Sequence, residues 1–154
     1  MENITIRQAT IEDLPVLLDF EQELIKAERP FDLTIRSDKV SYYDIREYIL
    51  NKEVEVVVAE HRSGIVSSGY ALAKKARHYL DHQEYAYLGF MYTLPGYRGM
   101  GINQKIVSHL IKWAKNKGLR EVRLTVYEEN IPAIKAYEKA GFKGHITEMR
   151  FRSD

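Results

Sequence analysis

The sequence predicts an α/β fold in which helices cover both faces of a mixed sheet, with the element order β-αα-βββ-α-β-α-β. Three observations lead to this fold class. Some short segments alternate apolar and polar residues, which is the period of a strand, and others repeat apolar residues at helical spacing. No Pro/Gly/Ser-rich linker, repeat or low-complexity block interrupts the 154 residues. We therefore expect a single domain over residues 1–154.

The beginning of the chain predicts one strand followed by two helices. Residues 3–7 alternate polar and apolar side chains and predict a short strand. Apolar residues at helical spacing predict an amphipathic helix over about 11–27, before which Thr10 and Asp13 resemble a capping box. Pro30 interrupts this helix, and a weaker pattern predicts a second one over about 38–51.

The rest of the chain predicts five strands and two helices. The strands are expected over about 54–58, 65–73, 83–93, 122–127 and 142–152. The clearest helix starts at Ile102, carries apolar residues along one side and has Gly118 at the position of a C-terminal cap. Asn130 is expected to cap the last helix, with Pro132 in its first turn and Gly141 past its end.

Composition excludes several classes of protein. The formal net charge is +1, and no basic patch indicates nucleic acid or an anionic membrane as a partner. The chain has no cysteine, which excludes disulfides, thiolate metal ligands and a cysteine nucleophile. Neither a signal peptide nor an apolar run of the roughly 20 residues that span a bilayer is apparent. We expect a cytoplasmic protein.

The loop before the clearest helix has the features of a phosphate-binding site. Gly99 and Gly101 remove side chains where the helix begins and where its N–H groups lack partners within the helix. Such a terminus carries partial positive charge, and Arg98 adds a full one, so the loop suits a diphosphate. A plain tight turn is the alternative interpretation. A dinucleotide fingerprint needs a third glycine where Gln104 stands, and the Gly-Lys-Ser/Thr of a P-loop is absent.

Two motifs carry a resemblance to a known family. Residues 94–102, Leu-Pro-Gly-Tyr-Arg-Gly-Met-Gly-Ile, resemble the acetyl-CoA signature of the GNAT acetyltransferases. Residues 130–142, which run from Asn130 through Tyr137 to Phe142, are similar to the family's N-x-x-A-x-x-x-Y-x-x-x-G-F helix. The element order also matches. The departures are Gly96, where the family usually has Gln or Arg, and Asn103, where a further glycine is common.

The resemblance implies an acetyl-CoA-dependent N-acetyltransferase that acts on a primary amine of unidentified nature. It implies a bulged strand that ends at Thr93 and splays from the next strand, so that backbone N–H groups near Met91 and Thr93 meet the thioester and the pantetheine arm. Tyr137 would protonate the departing thiolate, because a phenol stays protonated at pH 7. The coenzyme A site that the resemblance implies comprises Met91, Tyr92, Thr93, Arg98, Gly99, Met100, Gly101, Ile102, Asn103, Asn130, Ala133 and Tyr137.

The general base stays open at this level. In family members a glutamate at one of two positions serves as the general base, and these positions are Tyr87 and Thr125 here. Glu84 is the nearest acid on the earlier strand and is our candidate, with water-mediated transfer to Glu28 or to a tyrosine as the alternative. The resemblance implies no metal and makes a homodimer compatible with the family. A non-catalytic acyl-CoA-binding module and an enzyme for longer acyl groups are the other interpretations.

Overall fold

The sheet is mixed, as predicted. The computed structural model describes residues 3–154, and in this range the sheet has five strands in the spatial order β1-β2-β3-β4-β5. Neighbours pair antiparallel except β4 and β5, which run parallel. The strands are β1 (Thr5–Gln8), β2 (Glu55–His61), β3 (Gly64–Lys75), β4 (Glu84–Thr93) and β5 (Val122–Arg123).

Helices cover both faces of this sheet, which confirms the predicted layers. They are α1 (Leu14–Glu28), α2 (Ile45–Leu50), α3 (Ile102–Asn116) and α4 (Ile131–Lys139). Leu17 and Phe20 of α1 pack with Ile45 of α2 over one face. Ile106 and Leu110 of α3 pack over the other face, so each helix buries its apolar stripe against strands. No helix in residues 3–154 is long and apolar enough to cross a membrane.

The first helix begins with a tighter turn than the sequence predicts. Ile11–Asp13 is a 3-10 turn, and α1 follows it at Leu14. The predicted capping box is confirmed, since the Asp13 carboxylate accepts the Thr10 backbone N–H at 2.7 Å. Asp13 is also paired with Arg7 of β1 at 2.8 Å, and this pair fixes the start of the helix against the sheet.

The second helix is shorter than predicted. It was expected over 38–51, but α2 covers only Ile45–Leu50. The reason lies in α1, where the buried carboxylate of Glu21 accepts the N–H groups of Tyr42 and Tyr43 at 2.7 and 2.9 Å. These donors are therefore not available to a helix, and the segment before Asp44 is an ordered loop.

The predicted last strand over 142–152 is wrong, so the observed order ends with α4. None of its residues pairs with a strand, and Ile146, Met149 and Phe151 are 82%, 89% and 92% exposed. The strand expected over 122–127 is also shorter, because β5 ends at Arg123. Apolar alternation alone does not make a strand; the segment needs a backbone partner, and two paired residues of β5 offer too short an edge.

Candidate active site

A loop with open backbone donors joins β4 to α3. After a 3-10 turn at Pro95–Tyr97, Gly99 and Gly101 adopt left-handed φ angles of 77° and 79°. Within the described residues, no backbone N–H of residues 99–104 donates a hydrogen bond to another backbone group. A Cβ added at either glycine would meet no atom within 4 Å, so the space beside these two residues is open. The predicted N-terminal cradle of α3 is present as a geometry.

Arg98 is fixed beside this loop. Its Nε donates to the Thr93 carbonyl at 2.8 Å, and its guanidinium lies 5.6 Å from the ring centre of Tyr92. The side chain is otherwise exposed. The two terminal nitrogens therefore remain able to meet an anion next to the loop.

Several predicted residues can offer only their backbone. Tyr92 is 5% exposed and packs its ring 5.0 Å from Phe20 in the core. Ile102, the first residue of α3, is 1% exposed and packs into the core. The Asn130 side chain caps α4 by accepting the Ala133 N–H at 3.3 Å, so its Oδ1 atom is used in the helix cap.

The sheet opens where β4 and β5 separate. Their parallel pairing comprises Ala86 with Val122 and Tyr87 with Arg123, and it goes no further. On the other side of β4, the register with β3 shifts, and no β3 residue pairs with Phe90 or Met91. Phe90 has a φ of 58°, a value that marks a local distortion in a non-glycine residue. The bulge and the splay therefore leave the backbone around Met91 outside both ladders.

Tyr137 lies on α4, where its side chain is half-buried. Gln104 in the first turn of α3 donates to the Ala136 carbonyl at 2.8 Å, which ties the start of the loop-bearing helix to α4. Burial, followed by the negative charge of Glu28 and the nearby Tyr87, raises the pKa of Tyr137 to about 12. Its hydroxyl therefore holds its proton throughout the neutral range.

Tyr87 and Thr125 stand at the two positions where family members carry a glutamate that acts as the general base, and their side chains are in contact. The Tyr87 hydroxyl lies 2.6 Å from Thr125 Oγ1, so the structure brings them together but neither supplies a carboxylate. Glu84 is the first residue of β4, opposite Lys75, and it lies in a surface pocket with Trp113 and Lys117. At the usual rise per residue it is about 20 Å from Phe90. The structure does not bring Glu84 to Tyr137.

Glu28 is the other acid that the sequence suggested as a proton acceptor. It ends α1, and burial raises the pKa of its carboxyl group. Its charge in turn raises the pKa of Tyr137, after burial. The sequence named it only as one end of a water-mediated path, because nothing local places the end of α1 beside α4. No group of three or more His, Cys, Asp or Glu within residues 3–154 has the arrangement of a metal site.

Comparison with known proteins agrees with this geometry. The model of the acetyltransferase (GNAT) family matches residues 21–142. An uncharacterized N-acetyltransferase from Methanocaldococcus jannaschii is 27% identical over 143 residues, which cover 93% of this chain but only 62% of the archaeal protein.

Two solved structures show the same fold at low identity. A mutant of the BH1408 protein from Bacillus halodurans superposes with a TM-score of 0.84 at 17% identity, covering 97% of this chain and 99% of that one. An aminoglycoside N-acetyltransferase in complex with CoA superposes with a TM-score of 0.74 at 18% identity, again over 97% and 99% of the two chains.

Proposed function

Because the chain belongs to the GNAT family of acetyltransferases, we propose that it transfers the acetyl group of acetyl-CoA to a primary amine by direct attack in a ternary complex. One observation carries the proposal. The unpaired N–H groups of residues 99–104 are tied through Gln104 to the helix that presents Tyr137. In the proposal, the Gln104–Ala136 contact thus holds the binding loop for the acyl carrier next to Tyr137, the proton donor for the leaving group.

The loop fits the linked phosphates of coenzyme A. Several N–H groups point outward at the positive end of α3, and Gly99 and Gly101 leave room for phosphate oxygens to approach the backbone. Arg98 adds charge at the rim. The solved aminoglycoside N-acetyltransferase with CoA supports the same use of the fold.

The opening between β4 and β5 suits the thioester. Backbone N–H groups of β4 beyond its last pair with β5 can donate to the carbonyl oxygen as it gains negative charge during attack. In the proposal, Met91 and Thr93 supply these donors. Donors of this type are each worth about 10²–10³ in rate in other acyl-transfer enzymes.

Tyr137 assists the departure of the thiolate. A free thiol has a pKa of about 8.5, so complete proton transfer from a phenol of higher pKa is unfavourable in water. Burial raises the pKa of both groups and leaves the phenol the weaker acid, so the hydrogen bond to the sulfur is the main contribution of Tyr137. In the proposal, the Tyr137 hydroxyl donates a hydrogen bond to the sulfur as the C–S bond breaks and transfers its proton as the thiolate forms.

A second candidate function is a non-catalytic acyl-CoA-binding module. The observation that favours it is the Tyr87–Thr125 pair, which leaves both of the family's basic positions without a carboxylate. Turnover separates the two functions, because a module binds acetyl-CoA and releases no thiol with any amine. The same assay run with longer acyl-CoA donors tests the chain length of the acyl group.

The decisive test compares two glycines with the same backbone conformation. Gly101 and Gly118 have φ angles of 79° and 78°, and a Cβ meets nothing within 4 Å at either position. An alanine at each position costs about 1–2 kcal/mol of strain. Gly101→Ala should weaken acetyl-CoA binding at least tenfold in calorimetry, whereas Gly118→Ala should leave the affinity unchanged. Absence of acetyl-CoA binding by the wild-type protein would overturn the proposal.

A cytoplasmic location and a homodimer are further parts of the proposal. Cell fractionation tests the first, and light scattering of the purified protein tests the second.

A further inference from the structure

The carboxylate of Glu28, at the end of α1, lies among the hydroxyl groups of several tyrosines. After burial, Glu28 raises the pKa of Tyr42 through a hydrogen bond and the pKa of Tyr127 and Tyr137 through its charge. These three tyrosines come from the loop before α2, the segment after β5 and helix α4. One carboxylate therefore acts on hydroxyl groups from three segments of the chain.

Ring contacts support the same placement. The ring of Phe31, three residues after Glu28, stacks on Tyr127 with centroids 5.8 Å apart. The Tyr43 hydroxyl accepts the Phe90 N–H at 3.3 Å, which fastens the loop before α2 to the bulge of β4. The end of α1 therefore faces the opening between β4 and β5 from the side opposite α3.

In the described part of the chain, Glu28 has no cationic partner, whereas the neighbouring acids Glu21 and Asp32 are bound to other groups of the protein. Glu21 accepts two backbone N–H groups, and Asp32 is bound to Arg150 at 3.0 Å. Arg29, the nearest cation along the chain, turns its guanidinium to the carbonyl groups of Arg36 and Asp38. Within residues 3–154, no lysine, arginine or histidine forms an ion pair with Glu28.

The Tyr42 hydroxyl is a second unsatisfied group at this place. It is buried beside the Glu28 carboxylate, and within the described residues it has no hydrogen-bond partner of good geometry. A buried hydroxyl without a partner costs free energy that a ligand can recover. A half-buried carboxylate, an unsatisfied hydroxyl and ring faces together match an alkylammonium group, through charge pairing and cation–π contact.

We propose that Glu28 binds the acceptor as a primary alkylammonium, against the rings of Tyr42 and Tyr127, and acts as the general base of acetyl transfer. This inference rests on the proposed acetyltransferase function and adds to it the base and the charge of the acceptor. It moves the catalytic carboxylate from Glu84 of β4 to the end of α1.

The proton balance closes with these residues. The bound ammonium first releases one proton to solvent, and the neutral nitrogen forms a bond to the thioester carbon. Glu28 takes the second nitrogen proton, which becomes acidic once that bond exists. The C–S bond then breaks, the thiolate takes the Tyr137 proton, and the proton on Glu28 returns to Tyr137 through solvent. The products are an amide and a thiol.

The sign of the pH dependence follows from burial. A base must be ionised, and burial raises the pKa of Glu28 above its ordinary value. Activity should therefore fall at low pH as Glu28 takes up a proton, in addition to the pH dependence that comes from the first proton of the acceptor ammonium. The groups on which Glu28 acts are the hydroxyls of Tyr42, Tyr43, Tyr127 and Tyr137. The charged or titratable groups that act on these tyrosines in turn include Arg29, Asp32, Tyr87 and Arg150.

The test compares Glu28→Gln with Asp19→Asn. Asp19 is exposed and, at about 3.6 residues per turn, projects from the opposite side of α1. Thiol release from acetyl-CoA is measured with lysine, spermidine and neamine as acceptors. Glu28→Gln should lower kcat/KM about 10²-fold or more and remove the part of the acid limb of the pH profile that Glu28 contributes. Asp19→Asn should match the wild type in both respects.

Two further measurements separate the possible failures. Acetyl-CoA affinity and Tm should stay unchanged in Glu28→Gln, which excludes misfolding and damage to the coenzyme site. Binding of each amine in the presence of CoA, measured by calorimetry, should be lost in the variant. Wild-type activity that Glu28→Gln retains overturns this inference and leaves the acetyltransferase function intact. Acetyl-CoA binding with neither turnover nor binding of any of the three amines also overturns it, whereas a lack of acetyl-CoA binding overturns the proposed function itself.

Discussion

Replacement of Tyr137 by phenylalanine isolates one hydroxyl group of the candidate site. The ring stays, including its edge-to-face contact with Phe142 at a centroid distance of 6.0 Å. The variant loses a hydrogen bond to a sulfur that carries negative charge as it leaves. Hydrogen bonds to charged groups contribute about 1.5–3 kcal/mol, and 2.7 kcal/mol corresponds to about 10²-fold in rate. We expect kcat to fall about 10²-fold.

The assay must follow chemistry and not product release. Single-turnover quenched flow with saturating acetyl-CoA measures the acetyl-transfer step, and calorimetry measures the affinity for acetyl-CoA, which should not change. Tyr79→Phe is the matched control, because Tyr79 is 67% exposed in the loop between β3 and β4. An unchanged single-turnover rate in Tyr137→Phe would refute the role of the hydroxyl. A lower rate accompanied by a lower Tm would indicate a packing defect instead.

Three other predictions concern the coenzyme loop, the core and pH. Arg98→Ala should weaken acetyl-CoA binding about tenfold in calorimetry at low salt and by less at high salt, while Arg98→Lys should keep part of the affinity. Glu21→Ala should leave the N–H groups of Tyr42 and Tyr43 without an acceptor. The free energy of unfolding should then fall by about 3 kcal/mol, which lowers Tm by about 10 °C in calorimetric unfolding. Because the pKa of Tyr137 is raised to about 12, its hydroxyl keeps its proton up to about that pH. The pH–rate profile should therefore show no alkaline decline from this residue between pH 7 and 9.5. A decline that disappears in Tyr137→Phe would contradict this prediction.

The elements that the sequence predicted well are those defined by neighbours in the chain. Helix α3 and its glycine loop depend on apolar spacing and on left-handed backbone at Gly99 and Gly101, and both are present. The cap of α4 depends on Asn130 and Pro132, which lie at its start. Local chemistry is sufficient for such features, since a cap or a tight turn is satisfied within a few residues.

The elements that were missed depend on distant partners. The second helix lost its first half because Glu21, about twenty residues earlier in the chain, binds the backbone of Tyr42 and Tyr43. The strand expected over 142–152 has the right alternation and no partner. Glu84 was favoured as a base because it lies on the right strand, but periodicity does not tell which end of a strand meets the site. Glu28 could not be singled out, because its neighbours come from three other segments.

One structural feature underlies both halves of the candidate site. If β5 continued to pair with β4 beyond Arg123, residues 124–127 would lie against residues 88–91 and close the opening. Because the pairing stops, the backbone around Met91 stays free on that side, and Tyr127 can turn to stack on Phe31 at the end of α1. In the two proposals, the same separation of two strands provides the place for a thioester and one wall of the place for an amine. An acetyl donor and its acceptor would then meet at the point where the sheet divides, between Tyr137 on α4 and Glu28 on α1.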